Sequence, residues 1–223
     1  MRIVVLLGAP GAGKGTQAHV LAERLGLPRI ATGDLFRAAV REGTPRGVEA
    51  QGYMERGALV PDEVTVAMLL ERLALPDAAG GAILDGFPRT RAQAEALDAA
   101  LHGRATGVEA ALLIDVPVAD LLARLSGRWL CAAAGHPYHE TADAPRVAGV
   151  CDIDGSPLIQ RDDDRPEVVR ARLEKQLGAL GDVVGHYRAA GLLQIVDGSR
   201  PIDDVTAALL EALGEPLAEL PRS

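Results

Sequence analysis

The chain has 223 residues, and its 48% of hydrophobic against 24% of charged side chains predicts a folded globular core. The net charge of −8 argues against nucleic acid as the main partner, whereas a local group of arginines can still bind a small anion. An apolar run at 3–7 follows Met1 closely, without a leader-like or membrane-spanning segment, which predicts a cytoplasmic protein.

Short apolar runs alternate with helical patterns along most of the chain. Because parallel strands need a crossover between them, this alternation predicts an α/β fold with a parallel sheet covered by helices on both faces. In chain order, strands are predicted at 2–7, 82–84, 110–115 and 192–196, and helices at 16–25, 64–75, 91–101, 118–125, 166–190 and 202–213.

Two stretches interrupt the alternation. Residues 31–60 contain short helical patterns bounded by glycine and proline, and residues 127–164 are rich in Gly, Pro and Asp and contain both cysteines. A structureless loop of that length is uncommon inside a compact domain, so both stretches are predicted to be inserted subdomains. The core is then expected to comprise residues 1–30, 61–126 and 165–223.

A glycine-rich stretch, GAPGAGKGT at 8–16, separates the first predicted strand from the first predicted helix. In that context, backbone N–H groups and the helix dipole bind polyphosphates, and Lys14 is placed to reach the distal phosphates. The stretch departs from the pattern G-x-x-x-x-G-K-[ST], because Gly15 follows Lys14 and the hydroxyl comes at Thr16. Thr16 is thereby displaced by about 100° around the helix, which predicts a water-mediated contact with Mg²⁺.

Further motifs follow in a fixed order: TGDLFRAAV at 32–40, GALVPDE at 57–63, LDGFPRTRAQAEAL at 84–97, YHE at 138–140, GVCDIDGSPLIQRDDD at 149–164 and VVRARL at 168–173. Together with the glycine loop, the ordered set resembles the adenylate kinases with a long lid. The resemblance covers nearly the whole chain. It implies a P-loop NTPase-type sheet with two mobile subdomains, an AMP-binding one at 31–60 and a lid at 127–164. The implied reaction is reversible phosphoryl transfer from Mg²⁺·ATP to AMP in a monomeric enzyme.

The resemblance also assigns site residues, several of them arginines whose planar, permanently charged groups suit phosphate binding. Asp85, at the end of a predicted strand, resembles the carboxylate that orients Mg²⁺-bound water, and Asp34 is expected to cap the next helix. The implied catalytic residues are Lys14, Asp85, Arg89, Arg128, Arg161 and Arg172. Those implied for ATP are Gly11, Ala12, Gly13, Lys14, Gly15, Thr16, Arg128, Pro137, Tyr138 and Arg200. Those implied for AMP are Thr32, Arg37, Ala58, Val60, Gly86, Arg89, Gln93, Arg161 and Arg172.

Other nucleotide-binding functions remain open on the sequence. A uridylate–cytidylate kinase shares the loop and the DGFPR stretch but has a shorter lid, and Thr32 and Gln93 favour adenine as the acceptor base. A relative that uses GTP as donor differs only in a few contacts to the base. A non-enzymatic nucleotide switch of the GTPase type is disfavoured, because no N-K-x-D stretch occurs.

The two cysteines lie in the predicted lid, where many relatives hold structural zinc with the spacing C-x2-C, sixteen residues, then C-x2-C or C-x2-D. This chain has Cys131, Ala134, Cys151 and Asp154 at those positions, and Ala134 cannot bind a metal. His136 lies close enough to supply the fourth ligand of a tetrahedral N/S/O site. A metal-free lid and a Cys131–Cys151 disulfide remain alternatives, the disulfide being disfavoured in a reducing compartment.

Overall fold

The structure, a computed structural model, describes residues 1–55, 60–140, 143–160 and 166–216. Its main sheet has five parallel strands in the order β2-β3-β1-β4-β8. The predicted α/β fold with a parallel sheet is therefore confirmed. The strands are β1 (Arg2–Leu7), β2 (Arg29–Ala31), β3 (Gly81–Asp85), β4 (Val108–Asp115) and β8 (Leu193–Asp197).

Helices connect these strands and cover the sheet. None of the described helices is long and apolar enough to cross a membrane. In the described residues they are α1 (Lys14–Leu25), α2 (Thr32–Arg41), α3 (Pro45–Glu55), α4 (Asp62–Leu73), α5 (Arg91–His102), α6 (Val118–Ser126), α7 (Pro166–Ala189) and α8 (Ile202–Ala212), with a 3₁₀ turn at Pro76–Ala78.

The hydrophobic core lies on both faces of the main sheet, because successive side chains of a strand point to opposite faces. In β1, Ile3, Val5 and Leu7 pack against α4, α5 and α7, whereas Val4 and Leu6 pack against α1, α6 and α8. All five side chains are buried. A central strand buried on both faces explains why the sequence shows a continuous apolar run here and no alternation.

A second, smaller sheet lies between α6 and α7 in the chain. Its antiparallel strands β5 (Arg128–Cys131), β6 (Pro137–His139) and β7 (Leu158–Ile159) have the order β6-β5-β7. One small apolar cluster fills it, made of Cys131, Tyr138, Cys151 and Leu158 with Trp129 against them. These strands were not predicted, since each is only two to four residues long.

Element boundaries differ from the predictions by one or two residues at most ends, and one strand of the main sheet was missed. The helix α1 begins at Lys14 and not at Thr16. The missed strand β2 is three residues long and pairs with β3 so that Ala31 lies opposite Asp85. It brings the start of the 31–60 segment to the edge of the sheet that carries the site.

Candidate active site and metal centre

The glycine loop between β1 and α1 has a backbone that only glycine accommodates at two positions. Gly11 and Gly13 have φ values of 83° and 91°, in the left-handed region. A Cβ on Gly11 would also lie 2.9 Å from the Leu125 side chain. The ammonium group of Lys14 donates to the carbonyl oxygens of Gly8 at 2.8 Å and Ala9 at 2.9 Å, so it lies across the loop. The loop therefore combines a helix N-terminus with a fixed cation, which together form an anion-binding site.

Asp85 ends β3, beside the glycine loop. Its Cα lies opposite Leu6 of β1 and Ala31 of β2, and the residue is only 9% exposed. A Cβ placed on Gly15 would lie 3.7 Å from the carboxylate oxygen Oδ2 of Asp85. That is an ordinary contact, so protein packing alone does not require glycine at position 15. The fold thus places the predicted Mg²⁺ carboxylate against the first turn of α1.

Arg29 contacts Asp85, and it was missed by the sequence analysis. Its Nη2 and Nε donate to the same oxygen of Asp85, Oδ2, at 2.7 and 3.1 Å. Burial lowers the pKa of Arg29, but the charges of Asp85 and Asp34 outweigh burial and raise it overall. The available signal was strand alternation: Arg29 and Ala31 share one face of β2, and Ala31 lies opposite Asp85.

Asp34 does not cap a helix, contrary to the expectation. It lies inside the first turn of α2, whose N-cap is Ala31, and no side chain makes the capping hydrogen bond. Its carboxylate binds two arginines instead, accepting from Nη1 of Arg29 at 3.0 Å and from Nη2 of Arg37. Burial raises the pKa of Asp34, but the hydrogen bonds and charges of Arg37 and Arg29 outweigh burial, so that the net shift is downward.

The residue after Asp85 contacts two residues assigned to AMP. The carbonyl oxygen of Gly86 accepts hydrogen bonds from Oγ1 of Thr32 at 3.1 Å and from Nε of Arg89 at 2.8 Å. Thr32 is 3% exposed, so its hydroxyl is fixed within the protein. Because Asp85 and Gly86 are adjacent, the loop and the acceptor-side residues meet at one end of β3.

Gln93 is a buried anchor for this region. It is 2% exposed, its Nε2 donates to Oδ1 of Asp62 at 2.7 Å, and its Oε1 accepts from the backbone N–H of Arg89 at 2.8 Å. Thr90, the N-cap of α5, accepts from the backbone N–H of Gln93 and donates to Asp62. The predicted adenine reader is therefore also the residue that fixes the backbone of Arg89.

A cleft of about 430 Å³ lies between α2 and α3. Val60, predicted for AMP, is buried in the adjoining cluster with Phe36 and Ala50. Ala58 lies outside the described residues. The cleft is lined by Arg37, which was predicted, and by Val40, Arg41, Gln51 and Met54, which were not.

The residues assigned to ATP on the lid side start from the small sheet. Arg128 begins β5, with its Cα opposite His139 of β6. Pro137 is exposed, whereas Tyr138 is 8% exposed and its hydroxyl accepts from the backbone N–H of Asp152 at 2.7 Å. The phenol of Tyr138 therefore belongs to the interior of the small sheet.

Three further assigned arginines lie beyond the small sheet. Arg200 follows β8 and is exposed, with its Nη2 lying 3.4 Å from Asp204. Arg161 lies outside the described residues. Arg172 belongs to α7, but its side chain is not among those described.

Comparisons with known proteins agree with this geometry. A family profile described as adenylate kinase matches residues 6–192. The chain belongs to the adenylate kinase family. It is 47% identical over 211 residues to an adenylate kinase of Exiguobacterium sibiricum, covering 95% of this chain and 98% of the relative. It is 48% identical over 211 residues to adenylate kinases of Syntrophotalea carbinolica, with 95% and 98% covered, and Streptomyces griseus, with 94% and 96% covered. As a member of this family, the chain is an enzyme, a phosphotransferase.

In this adenylate kinase family member, the small sheet brings four possible metal ligands together. The ligand atoms of Cys131, His136, Cys151 and Asp154 all lie within 4.8 Å of one another. Nδ1 of His136 is 3.3 Å from Sγ of Cys151 and 3.4 Å from Oδ2 of Asp154, and Sγ of Cys131 is 3.0 Å from the same oxygen. Tetrahedral zinc with bonds of about 2.0–2.3 Å separates its ligand atoms by roughly 3.3–3.8 Å. Both His136 distances lie in this range, whereas the distance from Cys131 to Asp154 is shorter, so binding the ion requires small shifts of the donor atoms.

Hydrogen bonds also hold this cluster together. Burial raises the pKa of the Cys131 thiol, but hydrogen bonds from Ser156 and the backbone N–H of Ala134 outweigh burial and lower it to about 7. Hydrogen bonds from the side chain of Ser156, from Cys131 and from the backbone N–H of Ser156 lower the pKa of Asp154. Both cysteines are free thiols. Cys131 and Asp154 are thus biased toward the deprotonated forms that bind metal.

Proposed function

We propose that one side of the site binds ATP and the other side binds AMP in the reaction of this chain, the transfer of a phosphoryl group between ATP and AMP that gives two ADP. The observation that carries the proposal is the adjacency of Asp85 and Gly86 at the end of β3. Asp85 lies against Gly15 of the phosphate loop, and the carbonyl oxygen of Gly86 binds Thr32 and Arg89. The two sides of the site therefore meet at one point, as end-to-end transfer between two nucleotides requires.

On the donor side, the backbone N–H groups of residues 11–16 wrap the phosphates of ATP. Lys14 turns from the carbonyl oxygens of Gly8 and Ala9 toward the distal phosphates, exchanging two neutral acceptors for charged ones. Arg128, Arg161 and Arg172 add positive charge where the transferring group carries its charge. Pro137, Tyr138 and Arg200 contact the rest of ATP through backbone groups.

Mg²⁺, which the reaction with ATP implies, fits the donor side. Carboxylate oxygens are its preferred protein ligands, usually with several waters retained. Both described bonds from Arg29 go to Oδ2 of Asp85, so Oδ1 can face a hydrated ion beside the loop. When bound, Mg²⁺ neutralises charge on the phosphates of ATP.

On the acceptor side, Arg37 and Arg89 bind the phosphate of AMP in the cleft between α2 and α3. Thr32 and Gln93 hold the adenine, and Ala58, Val60 and Gly86 complete the wall. Gln93 has a second task, because it fixes the backbone of Arg89. An acceptor that fits this cleft is therefore positioned and charge-neutralised at once.

Water must be excluded from this site, because a transferable phosphoryl group is otherwise lost to hydrolysis. We propose that residues 31–60 and 127–164 act as two closing subdomains on a core made of residues 1–30, 61–126 and 165–223. A bisubstrate mimic made of two linked adenosines should protect both segments from hydrogen exchange. Unchanged exchange in both segments would contradict their role as lids.

The direct test of the reaction is coupled detection of ADP. ATP with AMP should give two ADP per turnover, whereas ATP alone should give almost none. Substituting GTP for ATP tests the donor base, and substituting UMP or CMP for AMP tests the acceptor base. Hydrolysis of ATP that does not depend on AMP would instead indicate a regulatory ATPase.

We also propose that Cys131, His136, Cys151 and Asp154 bind one structural zinc ion. The support is that four atoms of the N/S/O types that zinc prefers lie within 4.8 Å of one another, and that the cluster of the small sheet has only four buried side chains among the described residues. A closed four-ligand site has no open position, so it supplies stability to the lid and no chemistry. Elemental analysis should find about one zinc per chain, and less than a tenth of an equivalent would favour the metal-free lid.

The chain is further proposed to act as a cytoplasmic monomer whose partners are ATP, AMP and ADP. Its net charge of −8 makes nucleic acid an unfavourable partner. Light scattering at several protein concentrations should give a mass close to the 23.3 kDa of one chain.

A further inference from the structure

We propose that Arg29 is a positioning residue that connects the donor and acceptor sides of the site. The inference rests on the proposed phosphoryl transfer, because Asp85 and Arg37 have their roles in that reaction. Arg29 lies between the two: its guanidinium binds Asp85 through Nη2 and Nε, and binds Asp34 through Nη1. Asp34 in turn binds Arg37. Four alternating charges thus connect the carboxylate beside the loop to the arginine that lines the AMP cleft.

Arg29 is built into the sheet and does not project freely from the surface. It begins β2, where its Cα lies opposite Ile83 of β3. Its side chain is 32% exposed, and that of Asp85 is 11% exposed. A Cβ on Gly15 would lie 3.8 Å from its Nη2, so the charge sits at the first turn of α1. The carboxylate of Asp85 is largely buried whereas that of Asp34 is half exposed, so the pair with Asp85 is the more rigid of the two.

The first consequence concerns Asp85. A carboxylate that is largely buried needs a cation partner, and removing the cation leaves an uncompensated charge. Because both bonds from Arg29 converge on Oδ2, they fix the plane of the carboxylate and direct Oδ1 away from Arg29. Without Arg29, Asp85 should lose its fixed orientation, and the reaction should need more Mg²⁺.

The second consequence concerns AMP. Asp34 divides its two oxygens between Arg29 and Arg37, so each arginine weakens the hold of Asp34 on the other. If Arg29 is removed, the full charge of Asp34 acts on Arg37. Arg37 must then give up a stronger ion pair before it can bind the phosphate of AMP. Removing the positive charge at position 29 should therefore weaken AMP binding, because Asp34 then holds Arg37 more strongly.

The test is a double-mutant cycle on AMP affinity, measured by calorimetry without ATP or Mg²⁺. Arg29→Met keeps much of the aliphatic side chain and removes the guanidinium group that binds Asp85 and Asp34. It should weaken AMP binding about fivefold in the parent chain and by less than about twofold in the Asp34→Asn background, because the effect passes through Asp34. Equal losses in both backgrounds, or no loss in either, would overturn the coupling to AMP.

Kinetics give the second readout. Arg29→Met should lower kcat about tenfold at limiting Mg²⁺ and leave KM for ATP nearly unchanged. Arg29→Lys restores the charge but not the two-bond contact that orients Asp85, so it should recover AMP affinity more fully than kcat. Arg72→Met is the matched control, since Arg72 forms a two-bond pair with Asp77 near the opposite end of β3. If Arg29→Met behaves like this control, Arg29 is a structural residue only.

The design separates this inference from the proposed function. If the parent chain makes no ADP from ATP and AMP, the proposed reaction fails. If the parent chain is active and the cycle shows no coupling, the reaction stands and the role of Arg29 fails. If Arg29→Met does not fold, as judged by circular dichroism, Arg29→Gln, which also removes the charge, and Asp34→Asn complete the same cycle.

Discussion

The glycine loop and the small sheet of the lid are built on opposite principles. The loop is one continuous stretch, and its binding groups are backbone N–H groups fixed by glycines with positive φ. The lid cluster is assembled from side chains on separate turns, held by the register of β5, β6 and β7. A single substitution can therefore remove a group from the side-chain cluster, whereas the backbone N–H groups of the loop do not depend on which side chains the loop carries.

The two regions also differ in what stabilises them. The loop is fixed between β1 and α1, whose buried residues belong to clusters on both faces of a five-stranded sheet. Among the described residues, the small sheet has a cluster of four buried side chains, Cys131, Tyr138, Cys151 and Leu158, and Leu130 of β5 is also buried. Small units with little buried apolar surface generally depend on a metal or a crosslink. The loss of one side chain should therefore change stability in the small sheet and chemistry in the loop.

Lys14→Ala and Arg89→Ala should produce the largest effects and should sharpen that difference. Each removes a positive charge from the transferring phosphates, so turnover should fall at least about 10²-fold while the protein remains folded. The measurement is kcat with ATP and AMP, together with thermal unfolding. Arg24→Ala, in the last turn of α1, serves as the control and should leave kcat unchanged. Near-normal turnover in either variant would remove that residue from the catalytic set.

Cys151→Ala should have the opposite signature, a loss of lid stability with the loop intact. We expect zinc content to fall below a tenth of an equivalent and hydrogen exchange at 128–140 and 150–159 to accelerate roughly tenfold or more. Exchange in β1 should not change. Chelator treatment of the parent chain should reproduce the effect.

Ser156→Ala distinguishes zinc from a hydrogen-bonded lid. It removes the 2.9 Å contact between Oγ of Ser156 and Sγ of Cys131 but no proposed ligand. With zinc bound, this variant should behave like the parent chain. If it accelerates exchange as much as Cys151→Ala does, hydrogen bonds hold the lid and the zinc proposal is wrong.

The same contrast explains which features the sequence could predict. The sheet, most helices and the loop follow from local patterns, because a buried run or a glycine turn is recognisable within ten residues. Arg29 was missed because its importance comes from pairing in a strand of only three residues, β2. The prediction that Asp34 caps a helix was wrong because its carboxylate binds Arg29 and Arg37 instead of the backbone N–H groups at the helix end. Strands β5 to β7 were missed because their pairing across a long insertion leaves no local alternation.

Gln93→Leu should have an intermediate effect confined to the acceptor side. Gln93 fixes the backbone N–H of Arg89 and binds Asp62, so its loss should raise KM for AMP about tenfold and spare KM for ATP. Gln17→Leu is a matched control, since Gln17 is equally buried but binds Thr206 and Ile202. If Gln93→Leu raises KM for AMP and KM for ATP equally, the assignment of Gln93 to the acceptor side is wrong.

Two tyrosines allow the smallest and most direct comparison of core and lid. The hydroxyl of Tyr187 is buried without a hydrogen-bond partner among the described residues, whereas that of Tyr138 accepts from Asp152 at 2.7 Å. A buried unsatisfied hydroxyl costs about 1–3 kcal/mol, and a satisfied one contributes about 1 kcal/mol. Tyr187→Phe should therefore leave the free energy of unfolding unchanged or raise it by about 1 kcal/mol. Tyr138→Phe should instead lower the stability of the small sheet by about 1 kcal/mol.

High pH sharpens this prediction. Burial, and secondarily the charge of Asp98, raises the pKa of Tyr187 above that of an unfolded tyrosine. The unfolded chain then releases the phenolic proton at a pH where the folded chain still holds it. The parent chain should therefore lose stability as the pH rises above about 10, and Tyr187→Phe should lack that part of the loss. Denaturant unfolding of both proteins between about pH 8 and 11 measures the difference. A stability gap between them that does not widen with pH would show that the hydroxyl of Tyr187 is hydrated or bonded in solution.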